Sequence, residues 1–196
     1  PAGRLAARPP GQSLAGLFGR SAFPHPRHSA AAPIFAETYE RLAAKVPALA
    51  KDKVVVMGGF IASTEEGVTS TLGRGGSDYT ASIVGAGIGA EEIQIWTDVD
   101  GMLTADPTIM KGGHRVKQCS FAEAAELAYA GAKVLHPRTL APLVERKIPV
   151  WSKNSFAPEK PGTRIVAALA EEHPGGPRAV TSMRDVALGS VEPEGG

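Results

Sequence analysis

A chain of 196 residues, 43% hydrophobic and 21% charged, has the composition of a globular protein with room for one ordinary domain, or one domain and a fragment of another. With 21 basic against 20 acidic residues the formal net charge is +1, which argues against a nucleic-acid or acidic-surface partner and leaves a small molecule as the default ligand. One cysteine, Cys119, excludes an internal disulfide and reads as a buried thiol in a reducing compartment, and no run approaches the ~18 apolar residues of a membrane-spanning helix.

Residues 1–31 stand apart, rich in Ala, Pro, Gly, Ser and Arg, with no acidic residue before Glu37. They read as a disordered or atypical leader, a transit peptide being the alternative. His25 and His28 lack nearby Cys or carboxylates and belong to a solvated tail rather than a metal site. Ile34, Phe35, Leu42, Val46 and Leu49 recur at helical spacing and predict an amphipathic helix over 33–50 that ends near Pro47. Lys53 to Met57, a β-branched run closed by Gly58-Gly59, predicts a buried parallel strand feeding a loop. Phe60 to Leu72 reads as a hairpin turning at Glu65-Glu66-Gly67.

Thr71 to Asp78 then read T-L-G-R-G-G-S-D, directly before a stretch of helical character over 77–89 with Ser77 as the expected N-cap. Glycine lets backbone N–H groups approach a ligand, and a helix N-terminus adds unpaired donors and partial positive charge, so this is the build of an anion-binding loop. A glycine-rich hairpin turn accounts for the same residues equally well when they are taken alone.

Glu92 to Thr97 is the second expected strand and exits into Thr97-Asp98-Val99-Asp100-Gly101. Trp96 and Trp151, inside strand-like runs, read as core residues. Asp106-Pro107 marks a turn. Ser120-Phe121-Ala122-Glu123 is a capping box for a helix over 121–130 that Gly131 ends. Pro137 suits the first turn of a helix reaching about Lys147, which Pro142 should bend or weaken. Ile148 to Lys153 and Gly162 to Val166 are further strands. This alternation argues for an α/β fold, a three-layer α/β/α sandwich with a mainly parallel sheet. Pro174-Gly175-Gly176-Pro177 marks a linker over 171–178, and 179–196 reads as the start of a unit that is not completed.

Ligands of such folds bind outside the carboxyl ends of the strands, where Gly58-Gly59, the glycine loop and Thr97 to Asp100 all fall. Glycine amides suit phosphate, Arg74 suits a carboxylate or phosphate, and Asp78, Asp98 and Asp100 suit magnesium or hydroxyl groups. Phosphoryl transfer needs this mixture, because its catalysis is mostly positioning and charge neutralisation. Gly85-Ala86-Gly87-Ile88-Gly89 is not a dinucleotide fingerprint, there is no Walker loop, and Asp98 to Gly101 lacks the remaining ligands of a calcium loop. Lys133 and His136, after the capped helix, have no distinctive role by themselves.

Five ordered blocks, V-V-V-M-G-G-F-I (54–61), T-L-G-R-G-G-S-D-Y-T-A (71–81), Q-I-W-T-D-V-D-G-M-L-T-A-D-P (94–107), F-A-E-A-A-E-L-A-Y-A-G-A-K-V-L-H-P-R-T (121–139) and P-G-T-R-I (161–165), together resemble the aspartate kinases of the amino-acid kinase superfamily across 32–166. The resemblance implies transfer of the γ-phosphoryl of ATP to the β-carboxylate of L-aspartate, with ATP and Mg2+ as cofactors. It implies that Arg74 clamps the substrate α-carboxylate, that Ser77 is a second substrate contact, and that Asp78 is the catalytic acidic residue beside the phosphates. It assigns Thr97, Asp98, Lys133 and Val134 to ATP, and no residue as a dedicated metal ligand.

The match covers the C-terminal half of a kinase domain, 32–170, and T-S-M-R-D-V-A-L (181–188) resembles the entry to a regulatory ACT domain. Leu103 and Thr108 stand where the family often has a nucleotide-touching aromatic and arginine, Ala130 replaces a frequent aromatic, and the family's K-x-G-G-T/S lysine loop has no counterpart. A chain without that lysine is expected to be inactive by itself. The family implies a homo-oligomer for the full-length protein, no nucleic-acid or membrane partner, and a cytoplasmic site, or a plastid if the leader is a transit peptide. The alternatives are a sibling kinase acting on glutamate, acetylglutamate or UMP, and a non-catalytic module that binds nucleotide or pairs with a catalytic subunit.

Overall fold

The computed structural model describes residues 32–63, 68–106, 108–132, 135–169 and 176–183. The expected leader with His25 and His28, the hairpin turn at Glu65 to Gly67, most of the 171–178 linker and residues 184–196 lie outside them.

Helix α1 spans Phe35–Ala50 and buries Thr38, Leu42 and Val46, one side of an amphipathic helix. It runs through Pro47 instead of ending there. The carbonyl that Pro47 deprives of an N–H belongs to exposed Ala43, where water can replace the bond. Strands β1 (Ile61–Ser63) and β2 (Thr69–Thr71) form the expected antiparallel hairpin. Helix α2 (Gly76–Ile88) packs between α1 and the remaining helices, and Leu42, Val46, Ala62, Leu72, Tyr79 and Ile83 form a small core shared by α1, α2 and the hairpin.

A four-stranded sheet is built from β3 (Ile93–Thr97), β4 (Gln118–Ser120), β5 (Val150–Asn154) and β6 (Thr163–Val166), in the order β3-β5-β6-β4. The outer pairings β3–β5 and β4–β6 are parallel, and the central β5–β6 pairing is antiparallel. Helices α3 (Phe121–Tyr129) and α4 (Pro137–Val144) join α2 over a core containing Ile93, Ile95, Val150 and Ile165. α4 stops three residues before Lys147, and Pro142 lies inside it, buried. The α/β class is as expected, and the described helices α2, α3 and α4 share the core formed by this one face of the sheet. Cys119 is part of it, its Sγ 3.4 Å from Met102 Sδ, and burial pushes the thiol up to about 12.

Two further expectations fail. Residues 54–57 form no strand, and Val54 and Val56 are 87% and 68% exposed. A β-branched run becomes a strand only when a neighbour takes its N–H and C=O groups, and none of the described strands pairs with it. Trp96 and Trp151 are not core residues: Trp96 is 45% exposed and Trp151 half-buried. Strand period two places them on the outer face with Gln94, Lys153 and Arg164, where Lys153 lies over the Trp96 ring and Arg164 over Trp151.

Candidate functional site

α2 leads into β3 through a tight turn, so the two run antiparallel, and Gly85 lets the Ile93 side chain approach where a Cβ would collide. The rise from Gly85 back to Gly76 and that from Ile93 to Thr97 are both about 13 Å. The N-terminus of α2 therefore lies level with the carboxyl end of β3. β5 runs parallel to β3 with Asn154 opposite Thr97, so its carboxyl end joins them.

The glycine loop is a tight turn that becomes the first turn of α2, which resolves the choice between hairpin turn and helix-terminal loop in favour of the latter. Gly76 N–H donates to the Gly73 carbonyl at 3.0 Å. The N-cap is Gly75, at φ 70°, and not Ser77, and no side chain caps the helix. The positive φ at Gly75 starts the helix two residues earlier than Ser77 would. Ser77 lies inside the first turn, exposed, and its hydroxyl donates to Asp78 Oδ1 at 3.4 Å. Arg74 is exposed on the same loop. Asp78 is half-buried, and burial holds its carboxyl above the usual range, offset in part by the Ser77 hydroxyl. The three residues expected to face substrate and phosphate thus share one turn of backbone whose first-turn N–H groups point out of the helix.

His136 and Arg138 brace this loop. The His136 Cβ is 3.0 Å from where a Gly75 Cβ would stand, and its Nδ1 accepts from the Arg138 N–H at 3.2 Å, capping α4. Arg138 Nη1 donates to the Leu72 carbonyl at 3.2 Å, and the guanidinium lies 4.9 Å from the centre of the Tyr79 ring. Sequence reasoning gave neither residue a role. The only signal available was their place in the H-P-R-T run, because a contact bridging 66 positions has no local pattern. Lys133 and Val134 lie outside the described residues, and Leu135 to Arg138, which follow them, are the segment packed on the glycine loop.

At the end of β3 the Thr97 carbonyl accepts from both the N–H and the hydroxyl of Ser155, each at 2.8 Å. The Thr97 hydroxyl accepts from Val99 N–H and donates to Asp98 Oδ1, both at 3.2 Å. Asp98 is exposed. Asp100 accepts from Asn154 Nδ2 and from Lys160 Nζ, each at 2.6 Å, and these donors hold its carboxyl below the usual range. Of the substituted positions, Leu103 bridges to Arg115, and Thr108 closes a turn on the Asp106 carboxylate through its N–H at 2.8 Å and its hydroxyl at 2.6 Å. Among the described residues no three His, Cys, Asp or Glu side chains converge as a metal cage. A magnesium ion, which commonly takes one or two carboxylates together with substrate phosphates and water, fits a site of this kind only when a nucleotide brings the remaining oxygens.

The family described as "Amino acid kinase family" matches residues 15–154, beginning inside the segment expected to be a leader. The chain is 52% identical over 113 residues to aspartokinase 1, chloroplastic, of Arabidopsis thaliana, covering 57% of this chain and 20% of that protein. It is 43% identical over 139 residues to lysine-sensitive aspartokinase 3 of Escherichia coli, covering 71% of this chain and 31% of the relative. Among solved structures, E. coli aspartokinase III in complex with aspartate and ADP (R-state) matches with a TM-score of 0.72 at 39% identity, over 79% of this chain and 34% of that one. The aspartate kinase of Clostridium acetobutylicum matches with a TM-score of 0.64 at 38% identity, over 75% and 33%. The chain thus spans less than a third of the length of these two curated relatives. No helix among the described residues is long and apolar enough to cross a membrane.

Proposed function

Because the chain belongs to the amino acid kinase family over most of its length, we propose that it supplies the aspartate loop and the nucleotide-facing strand ends of an aspartate kinase, which makes 4-phospho-L-aspartate from ATP and L-aspartate. This is the first step toward lysine, threonine and methionine. The observation that carries the reading is the junction of the glycine loop with α2 at the carboxyl end of β3, in a backbone similar to an aspartokinase that binds aspartate and ADP. Arg74 holds the substrate α-carboxylate with Ser77 beside it, while Asp78 faces the phosphates. Thr97, Asp98, Lys133 and Val134 hold the nucleotide, and Mg2+ arrives with ATP. Likeness to an N-acetylglutamate synthase, 21% identical with a TM-score of 0.50, supports the fold and not that substrate class.

The exposed first-turn donors of α2 and Arg74 neutralise charge on bound carboxylate or phosphate oxygens. A transferring phosphoryl group needs more positive charge than these supply, and the 196 residues contain no K-x-G-G-T/S loop. The chain alone is therefore proposed to bind ATP weakly and to turn over little. Hydroxamate trapping with L-aspartate, ATP and Mg2+ tests this: turnover near that of intact aspartokinases would sink the inactivity, and absence of any ADP binding by calorimetry would sink the nucleotide site.

Leu103 and Thr108, which stand where the resemblance leads one to expect nucleotide contacts, favour a second reading, a non-catalytic module that pairs with a catalytic subunit. Tight association with an intact kinase chain in the absence of ADP binding would select it. The full-length protein is proposed to be a homo-oligomer in the cytoplasm, or in a plastid.

A further inference from the structure

We propose that Asn154 and Lys160 are positioning residues that clasp Asp100 and thereby hold the loop 97–101 in the form that meets nucleotide. The inference rests on the reading that Thr97 and Asp98 contact ATP. The loop makes few bonds of its own, the Thr97 hydroxyl serving both Val99 and Asp98. Its outside anchors come from the connection between β5 and β6. Ser155 takes the Thr97 carbonyl twice, and Asn154 and Lys160 take one oxygen each of the Asp100 carboxylate. The loop is therefore pinned on both sides of Asp98.

Asn154 is the stronger half of the clasp. It is the buried last residue of β5, and its amide is used at both ends, Nδ2 toward Asp100 and Oδ1 accepting from Phe156 N–H at 2.9 Å, so its orientation is set. Lys160 is half-exposed at 50% and reaches Asp100 from the far side of the connection, a contact that salt screens. Beyond Asp100, Gly101 is packed against Thr163, whose hydroxyl accepts from Met102 N–H at 2.8 Å and donates to the Val116 carbonyl at 2.6 Å. The loop is thus tied at Thr97, Asp100 and Gly101.

The test is ADP binding by calorimetry with the 196-residue chain and its Asn154→Ala, Lys160→Ala and Lys160→Arg variants, beside amide hydrogen exchange at residues 98–101 without ligand. Lys160→Ala should weaken ADP binding about two- to fivefold at low salt with the melting temperature unchanged. Lys160→Arg should restore it, and Asn154→Ala should weaken it about tenfold. Exchange at 98–101 should quicken in both alanine variants. Unchanged exchange, or alanine variants that bind ADP as the parent does, would overturn the clasp. A parent chain that binds no ADP would overturn the nucleotide reading instead, and the exchange rates would still decide whether the clasp holds the loop.

Discussion

Asp78 sits where ionisation works against the fold. Its carboxyl is half-buried at a helix start and titrates above the ordinary range because burial disfavours its charge. An acid whose folded pKa is raised stabilises the fold below its unfolded pKa and loses that contribution as pH rises through the folded value. At neutral pH the ionised group is thus a net strain. Asp78→Asn should melt at the same or a higher temperature than the parent at neutral pH, with the difference shrinking toward acid pH, and should reduce nucleotide and aspartate binding. A variant that melts lower at neutral pH would contradict this.

Gly75 makes a second residue-scale case, since it combines a left-handed φ of 70° with a His136 Cβ at 3.0 Å from any added methyl. Gly75→Ala should lose about 1–3 kcal/mol in denaturant unfolding. Gly58→Ala, where an added Cβ meets nothing within 4 Å, should be neutral or slightly stabilising. Equal effects at the two positions would remove the argument that the glycine loop needs its N-cap glycine.

At the scale of elements, the capping box of α3 was legible because everything that specifies it lies within four residues. The Ser120 N–H donates to Glu123 Oε2 at 2.7 Å, and the Glu123 N–H donates to Ser120 Oγ at 3.2 Å. Burial raises the Glu123 carboxyl, and the Ser120 N–H and Arg178 outweigh it, so the group titrates below its usual range. Ser120→Ala should therefore cost about 1 kcal/mol of stability by urea titration, with the slope unchanged. A loss below a few tenths would mean that Arg178, which also bonds the Gln118 carbonyl at 2.6 Å, holds this helix start by itself.

Helix α2 and strand β3 were legible from local pattern, although the N-cap of α2 is Gly75 and not Ser77, and with them the position of Arg74 and Asp78 at the start of that helix and of Thr97 and Asp98 at the end of that strand. What escaped is set from a distance. β4 has three residues and exists because Cys119 pairs with Ile165 of β6. The order β3-β5-β6-β4, the antiparallel central pair and the brace from His136 and Arg138 likewise depend on partners far along the chain. The Asp100 clasp escaped for that reason too, since Lys160 lies 60 positions away. The expected strand at 53–57 fails by the same rule in reverse, having strand-forming residues and no described neighbour.

At the scale of the whole molecule, the apolar surface is unevenly distributed. One sheet face is closed by α2, α3 and α4, while the other presents Trp96, Trp151, Lys153 and Arg164, and the strand-like run at 54–57 exposes Val54 and Val56. A β-branched run with exposed valines and no strand partner among the described residues offers itself for pairing with another chain, and exposed apolar groups favour burial at about 25 cal/mol per Å2 removed from water. The chain by itself should therefore self-associate, its apparent mass in sedimentation velocity rising with concentration. Val54→Lys combined with Val56→Lys should suppress this, because like charges at alternate positions of one strand repel across any pairing and blunt the edge. Both side chains face solvent, so the double variant should keep the parent's circular dichroism and melting temperature. Trp96→Thr, which trims the sheet face and leaves the run at 54–57 intact, separates the two surfaces: if it alone abolishes association, the sheet face is the adhesive one, and if only the lysine pair does, the unpaired run is. A parent chain of constant mass across the concentration range would show that neither surface is sticky enough to matter.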